Sequence, residues 1–381
     1  MGGNYMDEKY IIEPSPNWNI EAIGFIMETM SNRIESLIES PESFGKTRVQ
    51  LEDFFKPYIQ LKEKLAKEIL PRYEKYLTLN KIFQTEKKVR KDDFDSGFTL
   101  ILDMEQRYKR PLNNKNIDEL VGSYILNRVS KVEELEKETK IDSLTDLVQL
   151  LENIEIPDGE KMFYISIYQN RYEFIREVEA FTEEVAPILQ RNFYLIQEEY
   201  EKSIVEYKKL NGLESLLDKM VPVKLKISAE RKIIFTIFPF GGINMRHHEG
   251  NLFITIGIYI YNFKKWMDEK GFQGAELVSS LKALGDPTRL GIISKISIRP
   301  MYIQELAEDL DLTPATISHH INILLKSQLV NIIVESDTAK KIFYEVNREK
   351  LREIGRTIEQ LGDENTRGLD FNGKTAGISI S

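Results

Sequence analysis

Residues Thr313 to Leu329 read TPATISHHINILLKSQL. The hydroxyl of Thr313 can accept from a helix-start N–H, and Pro314 has no N–H to leave unsatisfied. Together they predict a helix beginning at Pro314. Ile317, Ile321 and Leu324 recur at helical spacing and define one buried face. Ala315, Thr316, Ser318, His319 and Asn322 fall on the other faces. About 13 residues make a rod of roughly 20 Å. The stretch has three readings: an ordinary core helix, a metal site at the paired histidines, or a helix that reads DNA. The metal reading is poor on geometry, because side chains at adjacent helical positions diverge.

The sequence around this helix decides between the other two. Upstream, AELVSSLKALGDPTRLGIISKI predicts a helix, a break at Gly285-Asp286-Pro287, and a second helix capped by Asp286 with Pro287 at its first position. Leu290, Ile293 and Ile296 are its expected buried stripe. YIQELAEDL then gives a short helix with Ile303, Leu306, Ala307 and Leu310 inward, and DLT a tight turn. A short helix, a tight turn and a second short helix make a helix-turn-helix, whose second helix fits a DNA major groove. Downstream, VNIIVESDTAKKIFYEV predicts a strand with Ile332 and Val334, a loop from Ser336 to Lys341, and a returning strand with Ile342, Tyr344 and Val346. This order of segments is that of a winged helix.

These residues resemble the ArsR-type family of winged-helix transcriptional regulators. LKALGDPTRLGIISKI is similar to that family's opening signature, through Leu284, Asp286, Pro287, Thr288, Arg289, Leu290 and Ile293. IQELAEDLDLTPATISHHINILLKSQLV resembles its DNA-reading unit, with Ser318, His320 and Leu324 in the family pattern, and Tyr344 fits the wing's return strand. The resemblance runs from Glu276 to Leu351, a fifth of the chain. It implies a homodimer on a near-palindromic operator, usually as a repressor, with Glu276 to Leu284 and Leu351 to Leu361 supplying the dimer interface. Two departures stand out. Gln328 replaces a glycine typical before the first wing strand, and the wing loop ESDTAKK lacks its expected glycine. The resemblance also raises metal sensing, but the helix that would carry the thiolate pair reads MYIQELAEDL, without Cys.

Thr316, Ser318 and His320 are the leading candidates for phosphate or base-edge contacts, with packing against a neighbouring helix as the alternative for His320. Asn322 is placed for a phosphate or groove edge, where an Asn can read adenine bidentately. His319 lies one helical step away and is a further DNA candidate. Lys326, Lys340 and Lys341 would meet phosphates, which position a protein and make its affinity salt-dependent. For Arg289 a phosphate contact and a structural ion pair remain equally open.

The chain of 381 residues carries 52 Lys and Arg against 61 Asp and Glu, a net charge of -9. Nucleic-acid binding requires a local positive face rather than a positive total. From Glu276 to Ile354 ten Lys and Arg meet eleven Asp and Glu, so most of the acidity lies elsewhere. With no Cys, disulfides and thiolate ligands are excluded. No apolar run long enough for a transmembrane helix and no signal segment appear, so the expected location is cytoplasmic and no membrane is expected as a partner. No phosphate loop, dinucleotide fingerprint, zinc-protease motif or nucleophile elbow is present; neither an enzyme nor a cofactor is expected.

The expected fold class is mainly α: a large helical N-terminal region with a small β element, plus a C-terminal winged helix. Residues 1–220 read as a helical regulatory or dimerisation region. Trp18, Ile20, Ile23, Met27 and Met30 fall at helical spacing, and Phe174, Phe181, Phe193, Tyr194 and Tyr200 are expected in its core. Residues 221–270 turn β-branched and aromatic, with strands expected at Lys224 to Ile227, Ile233 to Phe238 and Leu252 to Ile258. His247 and His248 are expected in an exposed loop between them. The winged helix spans 275–361 and a polar, flexible tail 362–381. The reading is a DNA-binding transcriptional regulator, a homodimeric repressor on double-stranded DNA, controlled by a small-molecule effector through the N-terminal region. The alternative is a winged helix used for protein contact or as a scaffold, since fold does not fix function.

Overall fold

The computed structural model describes residues 10–90, 96–129, 139–209, 223–226, 231–238, 241–248, 251–270, 274–335 and 342–361. Lys340, Lys341 and the 362–381 tail lie outside them.

The N-terminal body is organised around α1 (Trp18–Ser31). Asn17 caps it, accepting from the N–H groups of Asn19 and Ile20 at 3.1 and 3.2 Å. Every residue from Ile20 to Glu28 is buried, the position expected of a helix with no polar face. Around it stand α2 (Arg33–Glu39), α3 (Arg48–Tyr73), α4 (Leu77–Arg90), α5 (Ser96–Arg107), α6 (Asn114–Val129), α7 (Leu144–Glu152), α8 (Asp158–Gln169), α9 (Arg171–Asn192) and α10 (Gln197–Lys209). α1 packs chiefly against α5 and α9.

A four-stranded sheet joins these helices. Its order is β1 (Tyr10–Ile12), β3 (Arg231–Thr236), β5 (Asn251–Gly257), β4 (Ile243–His248). β1, β3 and β5 run parallel and β4 returns antiparallel on β5. His247 and His248 pair with Leu252 and Asn251 within β4. Their expected loop is therefore a strand. Ile233, Phe235, Ile254 and Ile256 enter the same apolar core as α1, α3 and α9, as does Trp266 on α11 (Ile260–Lys270). The helical region and the β-rich segment thus share one core.

Two features of α1 fix it to the sheet. The Glu21 carboxylate accepts the N–H groups of Ile237 and Phe238, both at 2.8 Å. One turn on, a Cβ on Gly24 would lie 2.1 Å from the Phe238 carbonyl oxygen, so only glycine allows this approach. Burial nevertheless raises the Glu21 carboxyl to about 8, above its ordinary range, outweighing the two N–H donors. Of the expected aromatic core, Phe174, Phe181 and Tyr200 are buried and Phe193 packs against the core. Tyr194 is the exception. It is exposed, and the Lys64 ammonium lies 5.3 Å from its ring centre, because it sits where α9 ends and the chain turns.

A second, smaller core belongs to α12 (Gly274–Leu284), α13 (Pro287–Ile298), α14 (Ile303–Leu310), α15 (Pro314–Lys326), β6 (Val330–Glu335), β7 (Phe343–Val346) and α16 (Arg348–Leu361). On α13 the buried stripe is Ile292, Ile293 and Ile296, while Leu290 is half exposed. The expected stripe holds at Ile293 and Ile296 but takes Ile292 in place of Leu290, because α13 is packed against β7, α15, α12 and α14, and these neighbours set which residues turn inward. Tyr344 and Val346 are buried on β7, and Ile332 packs against the core. Ile342 precedes β7 and is exposed rather than in the strand. Met301 and Tyr344 exchange backbone hydrogen bonds at 3.1 and 2.8 Å, closing the outer side of β7. The edge of β6 is taken by β2 (Val223–Lys226), which pairs in parallel from Val223 with Ile332 to Lys226 with Glu335. A strand that lies before β3 in sequence thus completes the wing sheet.

Candidate nucleic-acid interface

The turn between α14 and α15 is set by local chemistry. Asp311 ends α14 in the left-handed conformation, with φ 53°, a region that Asp tolerates better than most residues. The Leu312 N–H then reaches back to the Ala307 carbonyl at 3.0 Å. The Thr313 hydroxyl accepts from the Thr316 N–H at 3.2 Å and lies 2.9 Å from the Thr316 hydroxyl. Ion pairs of Lys295 with Asp309 (3.1 Å) and Arg299 with Glu305 (3.0 Å) tie α13 to α14.

On α15, Ile317, Ile321 and Leu324 are buried, each adding roughly 1.5–3 kcal/mol to the docking of the helix. The opposite face carries Ala315, His319, Asn322 and Lys326, all exposed and spaced to form one stripe along the rod. Thr316 and Ser318 flank it, half exposed. This is a rigid polar face backed by an apolar one.

Two expected site residues turn away from it. The His320 ring is mostly buried, its Nδ1 3.7 Å from Asp286 Oδ1. Arg289 donates through Nε to the Ala283 carbonyl and through a terminal nitrogen to the Lys282 carbonyl at 3.0 Å, and it lies 3.8 Å from Asp286. Its guanidinium closes the C-terminus of α12, where bare carbonyls collect. Asp286 accepts from the Arg289 N–H at 3.0 Å, and this bond first, then the Arg289 and His320 charges, holds its carboxyl below the ordinary range. Asp286, Arg289 and His320 therefore join α12, α13 and α15. The packing alternative for His320 matches this position; its partner Asp286, 34 positions earlier, carries no local signal that links the two.

Gln328, in the glycine-typical position, adopts φ 54°. The backbone keeps the left-handed turn and the side chain accepts the strain. At the far side, Lys350 on α16 lies 3.5 Å from Glu276 on α12. Leu281 on α12 and Ile358 and Leu361 on α16 are large apolar side chains left exposed.

Residues 286–331 match the model of the bacterial regulatory proteins of the arsR family. An uncharacterized HTH-type transcriptional regulator of Methanocaldococcus jannaschii is 33% identical over 94 residues, which are 99% of that protein and 24% of this chain. The chain belongs to the arsR family. The arsenical resistance operon repressor of Staphylococcus xylosus is 31% identical over 84 residues, 78% of its length and 22% of this chain. A solved ArsR-like transcriptional regulator from Rhodococcus sp. RHA1 is 30% identical, covering 80% of that chain and 23% of this one, with a TM-score of 0.22. As an arsR-family member the protein is a DNA-binding regulator, and all these matches fall on its C-terminal part. A metal of the kind the family brings to mind does not fit here. α14 offers no thiol, and among the described residues no three His, Asp or Glu side chains converge. Nor, among those residues, is any helix long and apolar enough to cross a membrane.

Proposed function

We propose that the protein is a homodimeric repressor that sets α15 of each protomer into successive major grooves of an inverted repeat. The observation that carries this reading is the exposed stripe of His319, Asn322 and Lys326 on a helix locked from behind by three buried aliphatics. Asn322 is the base-reading candidate, since an Asn can pair bidentately with adenine. His319, Thr316 and Ser318 act at base edges or phosphates beside it. Lys326, with Lys340 and Lys341 of the wing, neutralises phosphates. A stripe of Asn, His and Lys suits base edges and phosphates, whereas the core of a protein interface is depleted of lysine and enriched in aromatics. Dimerisation through α12 and α16 would cover Leu281, Ile358 and Leu361.

The N-terminal body serves as the effector domain in this reading. What supports it is connectivity: the body is joined to the winged helix by α11 running on toward α12, and by β2 on the edge of β6. The test is selection from a random duplex pool at physiological salt. An enriched inverted repeat, lost in a His319→Ala, Asn322→Ala, Lys326→Ala variant, is the expected result. A folded dimeric protein that enriches no sequence would refute the repressor reading.

A further inference from the structure

A recess of about 320 Å³ opens between α10 and the start of α11. That volume is at the lower end for small-molecule sites. Its wall is aromatic: Phe54 from α3, Tyr259 just before α11 and Tyr261 in the first turn of α11. Tyr259 is buried, and its ring lies 5.1 Å from that of Phe54. Against these rings α10 sets Glu198, Glu199 and Glu206, with the buried Ser203 in the floor.

The charge balance inside the recess is negative. Two lysines also reach the rim, but both are exposed, and Lys265 is directed to Glu269 at 3.9 Å. Glu199 and Glu206 are the half-buried charges. Glu206 is held ionised, below its ordinary range, first by the Lys209 ammonium at 2.7 Å, then by the Tyr261 hydroxyl and the Lys202 charge, while Glu199 has no ion pair among the described residues. The Tyr259 phenol is pushed up, by burial first and by the nearby Glu199 charge second. Aromatic faces and carboxylates both attract cations, the rings through their quadrupole.

Position makes this recess more than a surface dent. α10 is the last described helix before β2, which pairs with the wing strand β6. α11 is the last helix before α12, where the winged helix begins. The two walls of the recess therefore lead into the two chain connections between the body and the winged helix. A ligand that draws α10 and α11 together acts on both at once.

We infer that this recess binds a small organic cation, an ammonium or guanidinium on an apolar body, as the effector that the winged helix responds to. The inference rests on the effector-domain reading above and gives it a site and a ligand chemistry.

The test uses the full chain. The protein has two tryptophans, Trp18 and Trp266. The Trp266 ring lies 4.7 Å from Phe54 in the recess wall, so a Trp18→Phe background makes its fluorescence a local reporter. Three probes share one ring and differ in charge: benzyltrimethylammonium, benzyl alcohol and benzoate. The expected result is a saturable Trp266 response to benzyltrimethylammonium at millimolar concentration or below. It should weaken by at least about tenfold, or ~1.4 kcal/mol, in the Glu199→Gln, Glu206→Gln double variant. A response to benzoate equal to or stronger than that to the cation would overturn the proposal. So would an unaltered response in the Gln variant with its fold intact by circular dichroism, or no saturable response to the cation. DNA binding by the probe-free protein is measured separately. Its failure would strike the regulator reading alone, while DNA binding without a cation response would strike only the recess.

Discussion

The two cores of this protein are built on different chemistry. The N-terminal body interlocks aromatic rings, as where Phe54 and Phe55 meet Tyr259 and Trp266 and Phe44 stacks on Phe263 at 5.1 Å. It also buries two carboxylates of α1, Glu21 and Glu28. The winged helix has an almost wholly aliphatic core, and its charged clamp of Asp286, Arg289 and His320 sits at the margin. The bonds that fix α1 in the body span over two hundred positions, whereas the helix starts of the winged helix are set by caps and turns a few residues long. A unit that must present one helix rigidly is best served by the second kind of construction.

The contrast can be broken first at Gly24. Gly24→Ala drives a Cβ into the Phe238 carbonyl and should destabilise the body by about 3 kcal/mol. Urea unfolding followed by Trp266 fluorescence should record that loss, while amide exchange on α15 stays unchanged. Equal loss of protection in both cores would mean that they fold as one.

Acidity should separate the two units next. Burial raises Glu21 to about 8 and Glu28 to about 7 from an ordinary 4.5, the effect of Lys62 on Glu28 being smaller. A raised carboxyl favours the folded state while protonated. The body should therefore lose stability as pH rises from about 5 to 8, through the raised values of both carboxyls. Asp286 is held below its ordinary 3.8, so its contribution to the winged helix is present above that value and fades only as pH falls beneath it. Denaturation midpoints of the two units across pH 3 to 8 check both slopes. A Glu28→Gln variant with an unaltered slope for the body would contradict the assignment.

The smallest effect is expected at Gln328, where φ is 54°. Gln328→Gly relieves about 1 kcal/mol of left-handed strain but frees a similar amount of unfolded-chain entropy. Thermal melting of the winged helix should move by no more than ~0.5 kcal/mol equivalent.

What could be read from the sequence follows the same division. Thr313 and Pro314 mark the start of α15, and Asp286 and Pro287 that of α13, because caps are local. Ile317, Ile321 and Leu324 declare their face through periodicity. The choice of Ile292 over Leu290 does not, since the neighbours of α13 decide it. Likewise β1 pairs with β3 some two hundred residues away, and β2 joins a wing that the chain reaches a hundred residues later. Nothing near Tyr10 or Val223 encodes those partners. The sequence separates the two histidines by one helical step, but the partner that holds His320, Asp286, lies 34 positions earlier and is not legible there.

That difference offers the most direct test of the central claim, that the exposed stripe of α15 reads DNA. The measurement is fluorescence anisotropy on a selected operator and on a duplex with one base pair changed, for Asn322→Ala and His320→Ala. Asn322→Ala should shrink the preference for the operator by about 1–3 kcal/mol without altering stability. His320→Ala should lower the stability of the winged helix and leave the preference intact. A variant at His320 that loses discrimination, beside one at Asn322 that keeps it, would contradict the account.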